Sequence, residues 1–356
     1  MAEALSAHLP VCYVDPPVRG VRSGPLEEIR PGLWRARTVG IPGRERPGLH
    51  TLSLALWRRH LRRTVRSAGW RPAAVIAGTV EPLLDVLPGA RRVLYGTDDF
   101  VAGAALMGVP RRRLERFEAA ALATADVVVA ISEALAERWR AMGHEVVTIP
   151  NGVDARHFAG VDELPWPDDV HLPAPVVGFV GHLSERIDLR LLEAVADRGW
   201  SLLLVGPRQG TFELARITDL LSRPNVAWVG PKPYDALPAY LRAIDVGVVP
   251  YTMSAFNAAS FPLKTLEYLA AGRAVVSTDL PAVRWLDTDL VRVADTPPAF
   301  ADAVASAAAE PRRPQEMAAR RAFAARHTWA ARADELIAAA RLGDAAVAAR
   351  GRGWGG

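Results

Sequence analysis

The sequence predicts an α/β protein built from two doubly wound domains of parallel strands. Three observations predict it. Short apolar runs rich in β-branched residues alternate with amphipathic stretches, as crossover helices between parallel strands require. That rhythm occurs twice, with a proline-rich and acidic break between the two passages. The chain has 356 residues, enough for two domains that each bury a core.

In the first passage the expected strands are residues 11–14, 73–77, 92–95, 127–131 and 146–149. Amphipathic helices are expected at 50–68, 111–122 and 133–142, with Ser132 as the N-cap of the last. Residues 1–8 read as the end of a helix, which would make 11–14 a second strand. On that reading the fold either lacks its first N-terminal strand or starts upstream of Met1.

Pro150-Asn-Gly-Val-Asp ends the first passage, and residues 161–169 read as a linker. Strands are then expected at 176–181, 202–205, 226–229, 246–249, 274–277 and 290–293. Helices fill the gaps at 189–197, 212–221, 236–243 and 263–271, and alanine-rich helices follow at 299–309, 315–325 and 329–342. The expected organisation is a first domain over 1–157 and a second over 158–328. A helix over 329–343 then returns toward the first domain, and 344–356 form a flexible tail.

Composition narrows the function classes. Half the residues are hydrophobic and 23% charged, a globular balance. The lone Cys12 precludes an intrachain disulfide and fits a reducing compartment. No basic start followed by an apolar run opens the chain, and no window reaches the ~18 apolar residues of a membrane span. These features predict a cytoplasmic protein. The net charge is only +4, so nucleic acid is not an expected partner. The basic residues are nearly all arginine, the exceptions being Lys232 and Lys264. The eight histidines show no metal-binding spacing, so no zinc or other metal is expected. Nothing resembles a serine nucleophile elbow or a phosphate-binding Walker loop.

The segment with most chemistry runs from Ser260-Phe-Pro-Leu-Lys-Thr-Leu-Glu-Tyr-Leu to Ala-Ala-Gly-Arg-Ala-Val-Val-Ser-Thr. Pro262 suits the first turn of a helix. Lys264 and Glu267 are three apart and share one face near its start. Unpaired N–H groups in the Phe261–Leu263 stretch around Pro262, with the positive end of the helix dipole, suit a diphosphate. Lys264 adds a mobile charge, and Glu267 can accept two hydrogen bonds from a ribose diol. A solvated Glu–Lys surface pair fits the same spacing equally well. Gly181, at a strand end, suits close backbone approach to a phosphate, whereas Gly178 reads at least as well as a packing glycine.

The pattern Pro-x-Lys-x-x-Glu-Tyr-Leu-Ala-x-Gly before a Val-Val strand resembles the donor-site helix of GT-B glycosyltransferases. The resemblance is to the family 4 branch found in teichuronic-acid and capsule synthesis. Asn151-Gly-Val-Asp, Gly178-Phe-Val-Gly-His-Leu-Ser-Glu-Arg-Ile-Asp-Leu, Val205-Gly-Pro, Val226-Ala-Trp-Val-Gly and Ile244-Asp-Val-Gly-Val-Val-Pro-Tyr follow in the family's order. The resemblance implies a GT-B fold of two Rossmann-like domains facing a cleft, the first binding acceptor and the second the nucleotide-sugar donor. Glu267 matches the glutamate that contacts the ribose. The glutamate that contacts the donor sugar falls at Ala259, so Asn257 or Ser260 would substitute. The family's basic pair after the first strand is not intact: position 182 is His182, and Arg186 follows. Lys264 and Arg186 would hold the diphosphate.

In the first passage, Tyr95-Gly-Thr-Asp-Asp-Phe places two acids at the carboxyl end of a strand, where α/β sheets bind ligands. One of Asp98 and Asp99 is expected to cap a helix, and the other to orient or deprotonate the acceptor hydroxyl. Residues 52–66 form a basic amphipathic helix. It reads chiefly as a solvated arginine face, and also suits peripheral contact with anionic lipid at the inner face of the membrane.

The expected reaction transfers a sugar from a nucleotide-diphosphate donor to the hydroxyl of a small-molecule, glycan or lipid-linked acceptor. The resemblance implies retention at the anomeric carbon without a metal or other cofactor. Two other classes fit the architecture: a nucleotide-sugar epimerase, and a non-catalytic nucleotide-sugar-binding homologue.

Overall fold

The computed structural model describes residues 1–16, 18–19, 26–40, 49–310 and 312–343. The expected tail, 344–356, lies outside the described residues. The chain divides into two compact units. The first comprises Met1–Ile131, Leu135–Pro150 and the chain from Ala330 onward; the second comprises Ser132–Ala134 and Asn151–Trp329. Among the described residues, no helix is long and apolar enough to cross a membrane.

The first unit contains strands β1 (Val11–Val14), β2 (Val18–Arg19), β3 (Leu26–Arg30), β4 (Leu33–Ala36), β5 (Val39–Gly40), β6 (Ala74–Ala77), β7 (Arg91–Gly96), β8 (Val127–Ala130) and β9 (Val147–Thr148). Strands β6-β7-β8-β9 form a parallel sheet in that order. Helices Leu49–Ser67, Arg111–Thr124 and Glu133–Ala141 connect or flank these strands, close to their expected bounds. Strand β1 pairs parallel with β4, and β3 returns antiparallel against β4. The β3–β4 hairpin is absent from the sequence expectation because Leu26-Glu-Glu-Ile-Arg is mostly charged and mostly exposed. Its signal is the Pro31-Gly32 pair, where Gly32 takes φ +79°.

In the second unit, β10 (Val176–Val180), β11 (Ser201–Val205), β12 (Val226–Trp228), β13 (Val246–Val249), β14 (Ala274–Ser277) and β15 (Val291–Val293) form one six-stranded sheet. The order is β12-β11-β10-β13-β14-β15, parallel throughout. Strands β10, β11, β13 and β14 are buried along their whole length, which explains their unbroken apolar runs. The chain winds outward from β10 to β12, then crosses back to β13 beside β10. Loops leaving β10 and β13 therefore diverge, and the crevice at their carboxyl ends is the expected ligand position.

Residues 161–169 are anchored within this unit rather than linking two. The Asp162 carboxylate accepts from Arg273 Nη2 at 2.6 Å and from Arg321. Asp169 accepts from Lys232 Nζ at 2.6 Å and from the Tyr240 hydroxyl at 2.9 Å. The Asn-Gly-Val-Asp turn is tied down too. A side chain at Gly152 would lie 2.5 Å from the Thr328 carbonyl carbon, and Asp154 caps helix Ala155–Ala159 through His157 N.

The helix Leu263–Ala270 joins β13 to β14 and is locked across the reversal point. Tyr268 is fully buried; its hydroxyl accepts from Val180 N at 2.8 Å and donates to the Gly178 carbonyl at 3.3 Å. Gly247 makes room for that ring, since a Cβ there would sit 2.3 Å from it. Gly178 is a packing glycine, whose Cβ would meet Ile244 at 2.2 Å. Tyr268→Phe would leave the Val180 N–H unsatisfied in the core, at a cost of about 1–3 kcal/mol. Denaturant unfolding of the variant should show that loss.

Candidate functional site

The carboxyl end of β10 is all backbone. Gly181 takes φ +154°, and a Cβ there would stand 3.0 Å from Lys264 Cε and 3.1 Å from Nζ. Its N–H donates to the Val205 carbonyl at 2.8 Å. Gly206, after β11, takes φ +135°, and its Cβ would collide with the Gly181 carbonyl oxygen at 2.1 Å. Only two glycines let these chains pass so closely. Gly206 was legible in sequence only as part of Val205-Gly-Pro; its role comes from a neighbour 25 residues away. His182, next along, is exposed.

At the end of β13 stands Tyr251, 5% exposed. Lys264 reaches back to hydrogen-bond its hydroxyl, and Lys264 Nζ lies 4.6 Å from the Tyr251 ring centroid and 5.3 Å from that of Phe179. Arg186 completes the cluster. Its guanidinium carbon lies 4.9 Å from the ring centroids of both Tyr251 and Phe256. Two cations thus share one aromatic ring. Burial raises the Tyr251 pKa, but Lys264 and Arg186 outweigh it and hold the phenol below its ordinary value.

The helix Leu263–Ala270 begins at this cluster. Pro262 occupies the N-cap position rather than the first turn, and no side chain caps the helix start. The preceding loop is pinned where Asn151 Nδ2 donates to the Phe261 carbonyl at 3.0 Å. Phe261 is buried edge-on to Trp285, whereas Leu263 is exposed. Glu267 follows one turn after Lys264. Burial raises its carboxyl above the ordinary value of 4.5, with Lys264 and His157 pulling the other way. The pair differs from the solvated-pair alternative: Glu267 is half-buried, and Lys264 hydrogen-bonds Tyr251 rather than Glu267. The fold therefore gathers Gly181, Arg186, Lys264 and Glu267 at one end of one sheet, with Phe261, Pro262 and Leu263 at the helix start.

Two expectations need correction. Asn257 is fully buried and its amide is hydrogen-bonded within the loop, so it is not placed to touch a sugar. Ser260, 2% exposed, donates to the Phe256 carbonyl at 2.8 Å. Ala259, also buried, has its carbonyl bonded by Ser132 Oγ at 2.6 Å, and Ser132 belongs to the same unit. Of the two acids in the first unit, Asp99 is the structural one. It is 5% exposed, accepts from Ala102 N at 2.8 Å, and pairs with Arg138 at 3.0 Å. Arg138 also binds Glu118, which accepts from Trp139 Nε1 at 3.0 Å. This buried network removes Asp99 from the catalytic candidates. Asp98, partly exposed just past β7, remains one.

Comparison with known proteins matches each half of the chain to a family model. Residues 174–310 match the model for glycosyl transferases group 1, and residues 18–157 match the model for glycosyltransferase family 4. The chain carries two glycosyltransferase family domains, one in each half. Over 214 residues it is 32% identical to TuaH, a teichuronic acid biosynthesis glycosyltransferase of Bacillus subtilis, covering 56% of this chain and 54% of that one. Over 165 residues it is 32% identical to the phosphatidyl-myo-inositol mannosyltransferase of Mycobacterium tuberculosis, covering 44% and 41%. The chain spans about half the length of the curated relatives it matches. The glycosyltransferase fold is shared with the sucrose-phosphate synthase of Thermosynechococcus elongatus, with TM-score 0.75, 21% identity, and 97% and 92% of the two chains covered. It is shared also with an E. coli trehalose-6-phosphate protein bound with UDP-2-fluoro glucose, with TM-score 0.70, 12% identity, and 95% and 94% covered.

The state of Glu267 gives a pH test. The folded chain holds its proton more tightly than the unfolded chain, so this group's contribution to stability falls as pH rises through 4.5 and past the raised value. Glu267→Gln should remove that dependence and leave the melting temperature at pH 7 equal or higher. Thermal unfolding followed from pH 4 to 8 checks it.

Proposed function

We propose that the second unit binds a nucleoside-diphosphate sugar and that the enzyme transfers its sugar to a hydroxyl acceptor. The observation that carries this reading is the pair Lys264 and Arg186. Neither forms an ion pair with a carboxylate among the described residues, and both stand against Tyr251 past the carboxyl end of β13, with Lys264 also beside Gly181. A diphosphate supplies the missing negative charge. Glu267, one turn deeper, would accept from the ribose diol once ionised.

In the transition state the bond from the anomeric carbon to the diphosphate oxygen breaks, and negative charge builds on the leaving group. Lys264, Arg186 and the uncapped N–H groups at the start of helix Leu263–Ala270 meet that charge in place. Two fixed cations and a helix dipole support a metal-independent departure. Retention of the anomeric configuration is proposed from the family alone. TuaH and the mannosyltransferase act, by their names, in teichuronic acid synthesis and on phosphatidyl-myo-inositol. A glycan or glycolipid acceptor is proposed here on that ground, with Asp98 to orient its hydroxyl.

Peripheral membrane contact is proposed through the helix Leu49–Ser67. Arg58 and Arg62 are tied to the 82–86 segment, but Arg59, Arg63 and Arg66 are exposed on one side with Leu52 and Leu56. That combination suits anionic headgroups over an apolar layer. Co-sedimentation with liposomes should rise with anionic lipid content and drop when the three exposed arginines are changed to glutamine.

Lys264→Ala tests the donor site. Losing one charge-assisted contact, about 1.5–3 kcal/mol, should weaken nucleoside-diphosphate affinity roughly tenfold to a hundredfold. The circular dichroism spectrum should be unchanged, because the side chain lies at the helix start. Wild-type affinity in this variant removes Lys264 from the site. Sugar transfer with acceptor, against turnover without it or binding alone, separates a transferase from an epimerase or a binding protein.

A further inference from the structure

From sequence, Asn257 is a candidate sugar contact; in the structure it braces another side chain. It is fully buried in the short helix Ala255–Ala259. Its Oδ1 accepts from Arg186 Nε at 2.9 Å. Its Nδ2 donates to the Arg186 carbonyl at 2.9 Å, the Thr252 carbonyl at 2.9 Å and Thr252 Oγ1 at 3.0 Å. Burying an amide this deeply is tolerated only when both ends are hydrogen-bonded, and here they are. All its side-chain partners belong to two residues, Arg186 and Thr252. The Arg186 carbonyl in turn accepts from Thr252 N at 2.9 Å.

The result is an arginine held at three points. Asn257 takes Nε, while the rings of Tyr251 and Phe256 flank the guanidinium. Nothing among the described residues takes Nη1 or Nη2 as a carboxylate partner, so the fork is fixed without being neutralised. A fixed fork loses little rotamer freedom when it meets an anion, unlike a free surface arginine.

We propose that Asn257 is a positioning residue of the donor site, fixing Arg186 by its Nε so that the two terminal nitrogens meet diphosphate oxygens. The proposal rests on the donor site argued above and assigns it a specific internal support. Asn257 itself touches no substrate.

Calorimetric titration with UDP, GDP and ADP first selects the tightest nucleotide as probe. Arg186→Met keeps the packing between the rings and removes the fork, and should weaken the probe about tenfold. Asn257→Ala should weaken it roughly threefold to tenfold, and the double variant should be within about twofold of Arg186→Met alone, because both changes remove one coupled interaction. Losses that multiply in the double variant overturn the proposal. Should the buried Asn257→Ala fail to fold, Arg186→Lys decides. It keeps the charge but cannot donate to Asn257 in this geometry, so its affinity should fall to within about threefold of Arg186→Met. Wild-type affinity in Arg186→Lys overturns the proposal, since charge without the brace would then suffice. If Lys264→Ala loses affinity while the Arg186 variants do not, the donor site stands and the positioning role fails. If no nucleotide binds the wild-type chain, both fail.

Discussion

The second unit depends on the grip of the Tyr268 hydroxyl on the end of β10. That bond ties the helix carrying Lys264 and Glu267 to a strand 88 residues earlier in sequence. Three glycines make the grip possible by leaving out side chains: Gly247 under the tyrosine ring, and Gly181 and Gly206 where two backbones pass. Without this close packing, Lys264 would not reach the Tyr251 hydroxyl, and the two cations would not share one ring.

Charge is handled in two different ways in this chain. Arginines that hold the fold together are matched with carboxylates: Arg138 with Glu118 and Asp99, Arg273 with Asp162, Arg216 with Glu193. Arg186 and Lys264 are held instead by aromatic faces, a phenol and a neutral amide. Such partners fix position and leave the positive potential uncancelled. A site meant for an anion needs that arrangement, because a resident carboxylate would compete with the ligand. Asp99 follows the first pattern, matched with Arg138 and a backbone N–H. An acid already saturated by an arginine and a backbone N–H cannot also serve as a base.

Much of the architecture was legible because buried parallel strands are short apolar runs and their helices are amphipathic. The helix Leu189–Asp197 and the strand Val246–Val249 match the expected bounds to the residue. Where strands are edge-like and charged, as in Leu26–Arg30, the pattern vanishes and so did the expectation. The acidic stretch 161–169 misled for a related reason. Its composition resembles a solvated linker, yet Asp162 and Asp169 are bound by side chains 63 to 159 residues further on.

The order of motifs along the chain carried the family resemblance, the α/β class and the helix that holds Lys264 and Glu267. These are properties of local pattern and spacing, which a one-dimensional sequence records. Tertiary structure alone decided which polar residues are free to act. Asn257 looked like a ligand contact and is a buried brace; Asp99 looked like half of an acidic pair and is locked to Arg138. Those outcomes depend on burial and on partners 39 to 71 residues away, and no spacing rule encodes them. Availability for chemistry is set by what else a side chain already touches, and contact is a three-dimensional fact.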